Sequence, residues 1–223
     1  MEKYFYLLLS LTYSVIWALI FIRRSDLRSK LLFTGLLGGA AGLISEFWYV
    51  EDYWQPPTIL GTAVSVEDFI FGFGAAGVGS VLYQVFTRSG NVPYQNRQMY
   101  VLPLISVGTI IAMLVFNSLL HVNSIMVSSG VFLAIFALVS ARRRDLIKPS
   151  LLNGLLLTLV AMLIYTVLVP SVPEYAEKYW LLYGTDLGVM INGIPVTEIL
   201  WFFTFGIAAG GFYEYLWGLK LKN

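Results

Sequence analysis

Residues Val64 to Phe86 read VSVEDFIFGFGAAGVGSVLYQVF. From Phe69 onward the run is apolar enough for lipid, yet two adjacent acids, Glu67 and Asp68, open it. A carboxylate at the centre of a bilayer helix costs about 2.5–3.5 kcal/mol on insertion scales, and acids within such segments usually face a protein interior. The stretch reads as a membrane helix. Its acids either sit at the membrane edge for structural reasons or carry out chemistry there.

The rest of the chain agrees with a membrane reading. Of its 223 residues 58% are hydrophobic and only 12% are charged, with a mean hydropathy of +0.76. Soluble domains carry about 25% charged residues, so this composition belongs to a polytopic membrane protein. The formal net charge of +1 points to no nucleic acid and no acidic partner. The absence of cysteine excludes disulfides, thiolate metal sites, cysteine nucleophiles and iron–sulfur clusters. The first apolar run, Tyr4–Ile22, is too long for a signal-peptide core and lacks a preceding basic region. It is expected to be a retained helix.

A spanning helix needs about 20 mostly apolar residues. Seven segments qualify: Tyr4–Ile22, Leu31–Val50, Val66–Thr87, Tyr100–Leu120, Ser124–Ala141, Ser150–Val169 and Ile194–Gly218. The second, with its GLLGGAAGL run, relies on small residues and is expected to pack inside the bundle. In this arrangement Arg23, Arg24, Arg28, Lys30, Arg88, Arg97, Arg142, Arg143, Arg144, Lys148, Lys220 and Lys222 fall on one side, leaving only Lys3 and Lys178 opposite. The positive-inside rule then places the N-terminus outside and the C-terminus in the cytoplasm. The two long outer loops, starting EDYWQPP at Glu51 and VPEYAEKYW at Val172, are aromatic and nearly free of basic residues. The simplest reading of Trp48, Tyr49, Tyr53, Trp54, Tyr179, Trp180 and Tyr183 is an interfacial aromatic belt.

The opening stretch has an echo in GIPVTEILWFFTFGIAAGGFYEYLWG, which begins at Gly193. A shift of 130 residues lays Ser65-Val-Glu-Asp on Pro195-Val-Thr-Glu, and Glu51-Asp-Tyr-Trp matches Glu177-Lys-Tyr-Trp if the second copy carries four extra residues. Segments 1–3 then overlie segments 5–7 in the same direction, with segment 4 inverting the chain between them. This is a parallel 3+1+3 plan, an all-α membrane domain over 1–223 with a first repeat at 1–98, a linker helix at 99–122 and a second repeat at 123–223. The shared site would lie between the two acid-bearing helices. Gly72, Ala76 and Ser80 on one, and Gly206 and Gly210 on the other, recur four apart, a spacing that lets helix backbones approach closely.

The acids admit two readings. Ser65 followed three residues on by Asp68 resembles a capping box, Pro195 suits a first helical position, and acids favour the positive end of the helix dipole by about 0.3–1 kcal/mol. Against a purely structural role, the acids recur in both copies, Glu46 and Glu214 accompany them, and bulky aromatics follow: Phe69, Phe71 and Phe73 in one copy, Trp201, Phe202, Phe203 and Phe205 in the other. Apolar walls favour the neutral form of a carboxyl, a general acid toward a weak base needs a proton to give, and aromatic faces stabilise a neighbouring cation. Such a site suits protonation of an alkene and shelter of the resulting carbocation.

At SVEDFIFGF (Ser65–Phe73) and GIPVTEILWFF (Gly193–Phe203), with EDYWQPP and EKYW upstream, the sequence resembles the heterodimeric-type lycopene cyclase domain family of carotenoid biosynthesis, here as a fused pair covering nearly the whole chain. That family is built from three-helix units, each with a Pro-x-Glu-Glu-like motif opening an aromatic helix. The resemblance implies a cofactor-free isomerisation of an acyclic carotenoid such as lycopene. On it, Glu67, Asp68 and Glu198 are the catalytic candidates, Glu67 or Glu198 as proton donor and Asp68 as orienter or base. Glu46, Phe71, Trp201, Phe202 and Phe205 are the candidates for substrate contact. Two positions depart from the motif: Ser65 stands where proline is expected, and Thr197 replaces the first acid of the second copy. Threonine hydrogen-bonds but is no acid at neutral pH, which implies one catalytic centre, a changed product, or a relative that does not cyclise.

A transporter with the same 3+1+3 plan is the main alternative. A retinal-type photoreceptor would need a lysine in the seventh segment, where the nearest is Lys220 at its end, and a metal–diphosphate site would need clustered aspartates, where the basic loops offer only Asp26 and Asp145. His121 reads as a surface residue, and the 142–144 arginines as a topology signal and a contact for anionic lipid. The expected partners are membrane lipid and a long apolar isoprenoid, with no nucleic acid and a homo-oligomer left open. The expected location is the cytoplasmic membrane.

Overall fold

With no water in a bilayer core to satisfy backbone groups, a spanning segment must close its hydrogen bonds within itself, and the apolar runs do so as helices. The computed structural model describes residues 2–222. In chain order it contains α1 (Glu2–Arg23), α2 (Arg28–Asp52), α3 (Val66–Thr87), β1 (Gly90–Pro93), α4 (Val101–Ala112, continuing as a π-helical turn over Met113–Leu119), α5 (Ser124–Arg142), α6 (Ile147–Leu168), a short α7 (Tyr175–Tyr179), β2 (Met190–Ile191), β3 (Ile194–Pro195), α8 (Val196–Trp217) and β4 (Leu219–Lys222). Seven of these helices are long and apolar enough to cross a membrane. Their ends lie within a few residues of those expected, and those of α3 coincide with them.

The two acid-bearing helices hold the centre. α3 packs on α1 and α2, α8 packs on α5 and α6, and α3 meets both α6 and α8. The α2–α3 seam explains the small residues. A Cβ at Gly38 would collide with Ala76 and the Gly72 carbonyl, and one at Gly42 with the Asp68 carbonyl. The other face of α2, with Leu36, Ile44 and Phe47, is exposed. α2 therefore flanks the bundle, where an interior position was expected: its glycines serve one seam, and its opposite face meets lipid. Gly38→Leu is expected to destabilise the protein by roughly 1–3 kcal/mol through overpacking, read as a lowered midpoint of thermal unfolding in detergent.

Buried polar side chains pin the centre. Asn153, on α6, donates to the carbonyls of Gly79 on α3 and Gly206 on α8, at 2.8 Å for the latter, and accepts from the Tyr83 amide at 3.0 Å. At the basic end the chain makes the same turn twice. Arg24 bonds Asp26 at 2.9 and 2.7 Å and donates to the carbonyls of Gln84 and Ser89. Arg143 bonds Asp145 at 2.8 and 2.7 Å and donates to the Leu219 carbonyl. Arg24 thus satisfies two carbonyls, and Arg143 one, around the C-terminal end of a central helix, where cations are favoured. The end is closed by β1 pairing antiparallel with β4.

Candidate carboxylate site

At the opposite end of the bundle α3 begins with the expected capping box. The Ser65 amide donates to Asp68 Oδ2 at 2.6 Å, with the Ser65 hydroxyl 3.0 Å from the same oxygen. Asp68 Oδ1 accepts from the Tyr6 hydroxyl of α1 at 2.7 Å. Capping therefore uses one carboxylate oxygen and a tyrosine the other. α8 begins differently. Pro195, expected as the first helical residue, precedes it in β3, which an Asn192–Gly193 turn with positive φ at both residues folds back on β2. This hairpin aims Glu198 into the bundle. There it accepts from the Tyr53 hydroxyl, from Tyr165 at 3.0 Å and from the Trp180 indole N–H at 3.0 Å. Burial, with the Glu198 carboxyl beside it, pushes the Tyr53 phenol well above its ordinary pKa, so Tyr53 remains a proton-bearing donor.

Asp68 and Glu198 line one cavity of about 170 Å³, and Glu46 of α2 lines it too. Glu46 Oε2 is buried without a hydrogen-bond partner. The walls are Phe71, Trp201, Phe205, Phe132, Tyr49 and Trp54, with Gly72, Ala75 and Ala76 as the floor along α3. Tyr49 accepts from the Trp201 indole at 3.0 Å, which fixes that ring against the cavity. The cavity shares Gly38, Ala41, Ser45, Tyr49, Ala76, Phe132 and Phe205 with a second hollow of about 330 Å³ between α2, α4, α5 and α8. That hollow is almost wholly apolar, and Ala40, Ile44 and Ile110 on its rim are exposed, so it opens sideways on the bundle.

Several expected site residues thus converge, namely Asp68, Glu198, Glu46, Phe71, Trp201 and Phe205. Two do not line the cavity. Glu67 is fully buried and accepts from the Ile59 amide at 2.6 Å, holding the 53–65 loop. Phe202 is core, stacked near Tyr13 and edge-on to Tyr165 and Trp201. Glu214 lies at the far end of α8 in an ion pair with Lys30. The aromatic belt also needs correction: Tyr53, Trp54 and Trp180 are 3%, 7% and 2% exposed, since their polar tips or rings serve the carboxylate site. Tyr6 and Tyr165 are site residues that pattern reading missed. Their signal was available, because a tyrosine hydroxyl inside an apolar span has to find an acceptor.

Residues 123–216 match the family model for lycopene cyclase. This part of the chain is similar to the lycopene cyclase family. The matched segment comprises α5 to α8 and supplies Phe132, Tyr165, Trp180, Glu198, Trp201 and Phe205 to the site. No curated protein and no solved structure matches the chain. Seven apolar helices make this a multi-pass membrane protein, and the family its residues 123–216 resemble has carotenoid cyclisation as its chemistry.

Proposed function

We propose that the whole chain is a fused pair of cyclase repeats that closes a ring at one end of a long acyclic carotenoid such as lycopene. The N-terminus lies outside and the catalytic end at the outer face of the cytoplasmic membrane. The observation that carries this reading is the cavity itself: three carboxyls, Glu46, Asp68 and Glu198, set in aromatic walls and continuous with an apolar hollow that opens sideways. The twin Arg–x–Asp turns, the equivalent positions of Asp68 and Glu198, and a family match beginning at residue 123 support the repeat. A transporter plan would draw on a polar path, and the hollow is apolar.

The reaction is a net isomerisation. A carboxylic acid gives its proton to the terminal C=C and leaves a tertiary cation. The electron pair of the next alkene forms the ring C–C bond and moves the cation to a ring carbon, and a carboxylate removes a proton from its neighbour. Glu46 is the donor in this scheme, because its carboxyl is held by no hydrogen bond at Oε2 and lines the cavity. Asp68 and Glu198 each accept three hydrogen bonds from neutral donors. They serve as fixed acceptors that stabilise the cation and take the final proton. Phe71, Trp201 and Phe205 present π faces, worth about 0.5–2 kcal/mol to a desolvated cation. Glu67 moves from proton donor to loop anchor.

The deciding experiment is pigment analysis of a lycopene-accumulating host with and without the chain. A cyclised product with a shortened chromophore is expected. Unchanged lycopene, with the protein shown to be in the membrane, overturns the reading. The hollow makes a second prediction. Ala41 stands where it meets the cavity, so Ala41→Phe is expected to lower kcat/KM for the full-length carotenoid on the order of tenfold. A shorter isoprenoid with the same end group, assayed in liposomes, should lose less.

A further inference from the structure

Trp54 and Trp180 belong to the two loops at the carboxylate end of the bundle. Both are buried. Their rings lie 4.2 Å apart at 52° and their backbones form an isolated antiparallel bridge. Flanking bonds extend the pairing: the Gln55 amide donates to the Tyr179 carbonyl at 3.0 Å, and the Leu181 amide to the Tyr53 carbonyl at 2.9 Å. Trp54 stands edge-on to Tyr6, whose hydroxyl holds Asp68, and it lines the cavity. Trp180 stands edge-on to Tyr165 and donates to Glu198. Tyr175, itself buried, packs against both indoles. The pair therefore joins the two loops at the carboxylates, with Trp54 in the cavity wall and Trp180 bonded to Glu198, a placement suited to a two-piece stopper.

What a stopper does here follows from the chemistry of the cation. A tertiary cation has two fates. The next alkene closes the ring, with loss of a proton and no net change in composition. Alternatively a water oxygen forms a C–O bond to the cation and gives its extra proton to a carboxylate, so that water has added across the original double bond. Exclusion of water from a closed site suppresses the second fate. We propose that the Trp54–Trp180 pair decides between them. It keeps solvent from the cation, so that the enzyme releases rings and not tertiary alcohols, and opening it turns the same carboxylates to hydration of the carotenoid end. This rests on the cyclase reading above.

The test is turnover of lycopene by the full chain in liposomes made in ¹⁸O-labelled water, with products resolved by mass and absorption. Wild-type protein is expected to give ring product alone. With Trp54→Ala, labelled tertiary alcohol is expected to rise from below ~1% to ~10% or more of total product as the site admits water. Trp180→Phe keeps an aromatic ring, though a smaller one, in the stopper and removes the N–H to Glu198, so it is expected to slow turnover while the product stays mainly cyclic. Trp54→Leu serves as the second opened variant if Trp54→Ala does not reach the membrane. Wild-type protein that cyclises, beside opened variants whose product is slower to form but entirely cyclic and unlabelled, overturns the stopper and leaves the tryptophans a structural role. So does wild-type protein that itself releases tertiary alcohol as its main product. Wild-type protein that leaves lycopene unchanged overturns the cyclase reading, and the stopper with it.

Discussion

Glu46→Gln is expected to abolish ring formation, with a loss of at least ~10²–10⁴ in turnover if Glu46 is the general acid. The substitution is nearly isosteric and removes only the transferable proton. Because no hydrogen bond to Glu46 Oε2 is given up, the protein should still insert and unfold at close to the wild-type temperature. Glu198→Gln is expected to lower turnover as well, but through a different cost: an amide N–H would replace one of two oxygens that accept from Tyr53, Tyr165 and Trp180, so stability falls along with rate. Asp68→Asn retains one acceptor oxygen for the capping box and should cost about 1 kcal/mol of stability in addition to its effect on rate. Glu67→Gln is the contrast. Its carboxylate receives the Ile59 amide and does not line the cavity, so turnover should survive in whatever protein folds. Lycopene conversion by each variant, normalised to membrane yield, separates these outcomes. Full activity of Glu46→Gln would remove it as donor, and lost activity in Glu67→Gln at normal yield would restore the expectation drawn from the motif.

The spans were legible because a bilayer imposes a length, and apolar runs of that length are hard to produce by accident. Which face of each span is buried was not legible. Lipid is as apolar as a protein core, so Leu36 and Phe47, exposed on α2, look in the sequence like Leu31 and Leu9, which are buried. Only the small residues carried the packing signal, and Gly38, Gly42 and Gly72 do mark the seam. The acid motif pointed to the end of α3 and α8 at which the carboxylate cavity lies. It could not separate Glu67 from Asp68, because neighbours on a helix point about 100° apart and the sequence does not say which direction holds the cavity. The loop aromatics defeated pattern reading for a related reason: Trp at an interface and Trp buried over a carboxylate have the same sequence surroundings. The repeated Arg–x–Asp turn, 119 residues apart at Arg24 and Arg143, was visible as letters. Its meaning needed the carbonyls that each arginine holds.

Lys30→Met is expected to destabilise the protein by about 3–5 kcal/mol, because it leaves the Glu214 carboxylate buried without its cation. Lys30 is 2% exposed and Glu214 not at all. The ammonium lies 2.7 Å from Glu214 Oε1 and 2.9 Å from Gln84 Oε1, and Asn91 donates to the same glutamate oxygen at 3.1 Å. One cluster thus ties α2, α3 and β1 to α8. The sequence suggests other roles for both charges, Lys30 as a topology signal and Glu214 as a companion of the motif acids. Sixteen residues separate Glu198 from Glu214, or about 24 Å of helix, so Glu214 lies at the end away from the cavity. The double substitution Lys30→Met with Glu214→Leu removes both charges together and is expected to recover most of the lost stability, since apolar replacement of a whole buried pair is often neutral or better. It should also leave the carboxylate site able to cyclise. Chemical unfolding in bicelles gives the coupling energy, and pigment analysis of the double variant gives the activity. A stable double variant that has lost cyclisation would place Glu214 in the chemistry after all, whereas a stable and active one excludes Glu214 from it and leaves the reaction to the acids at the other end of α8.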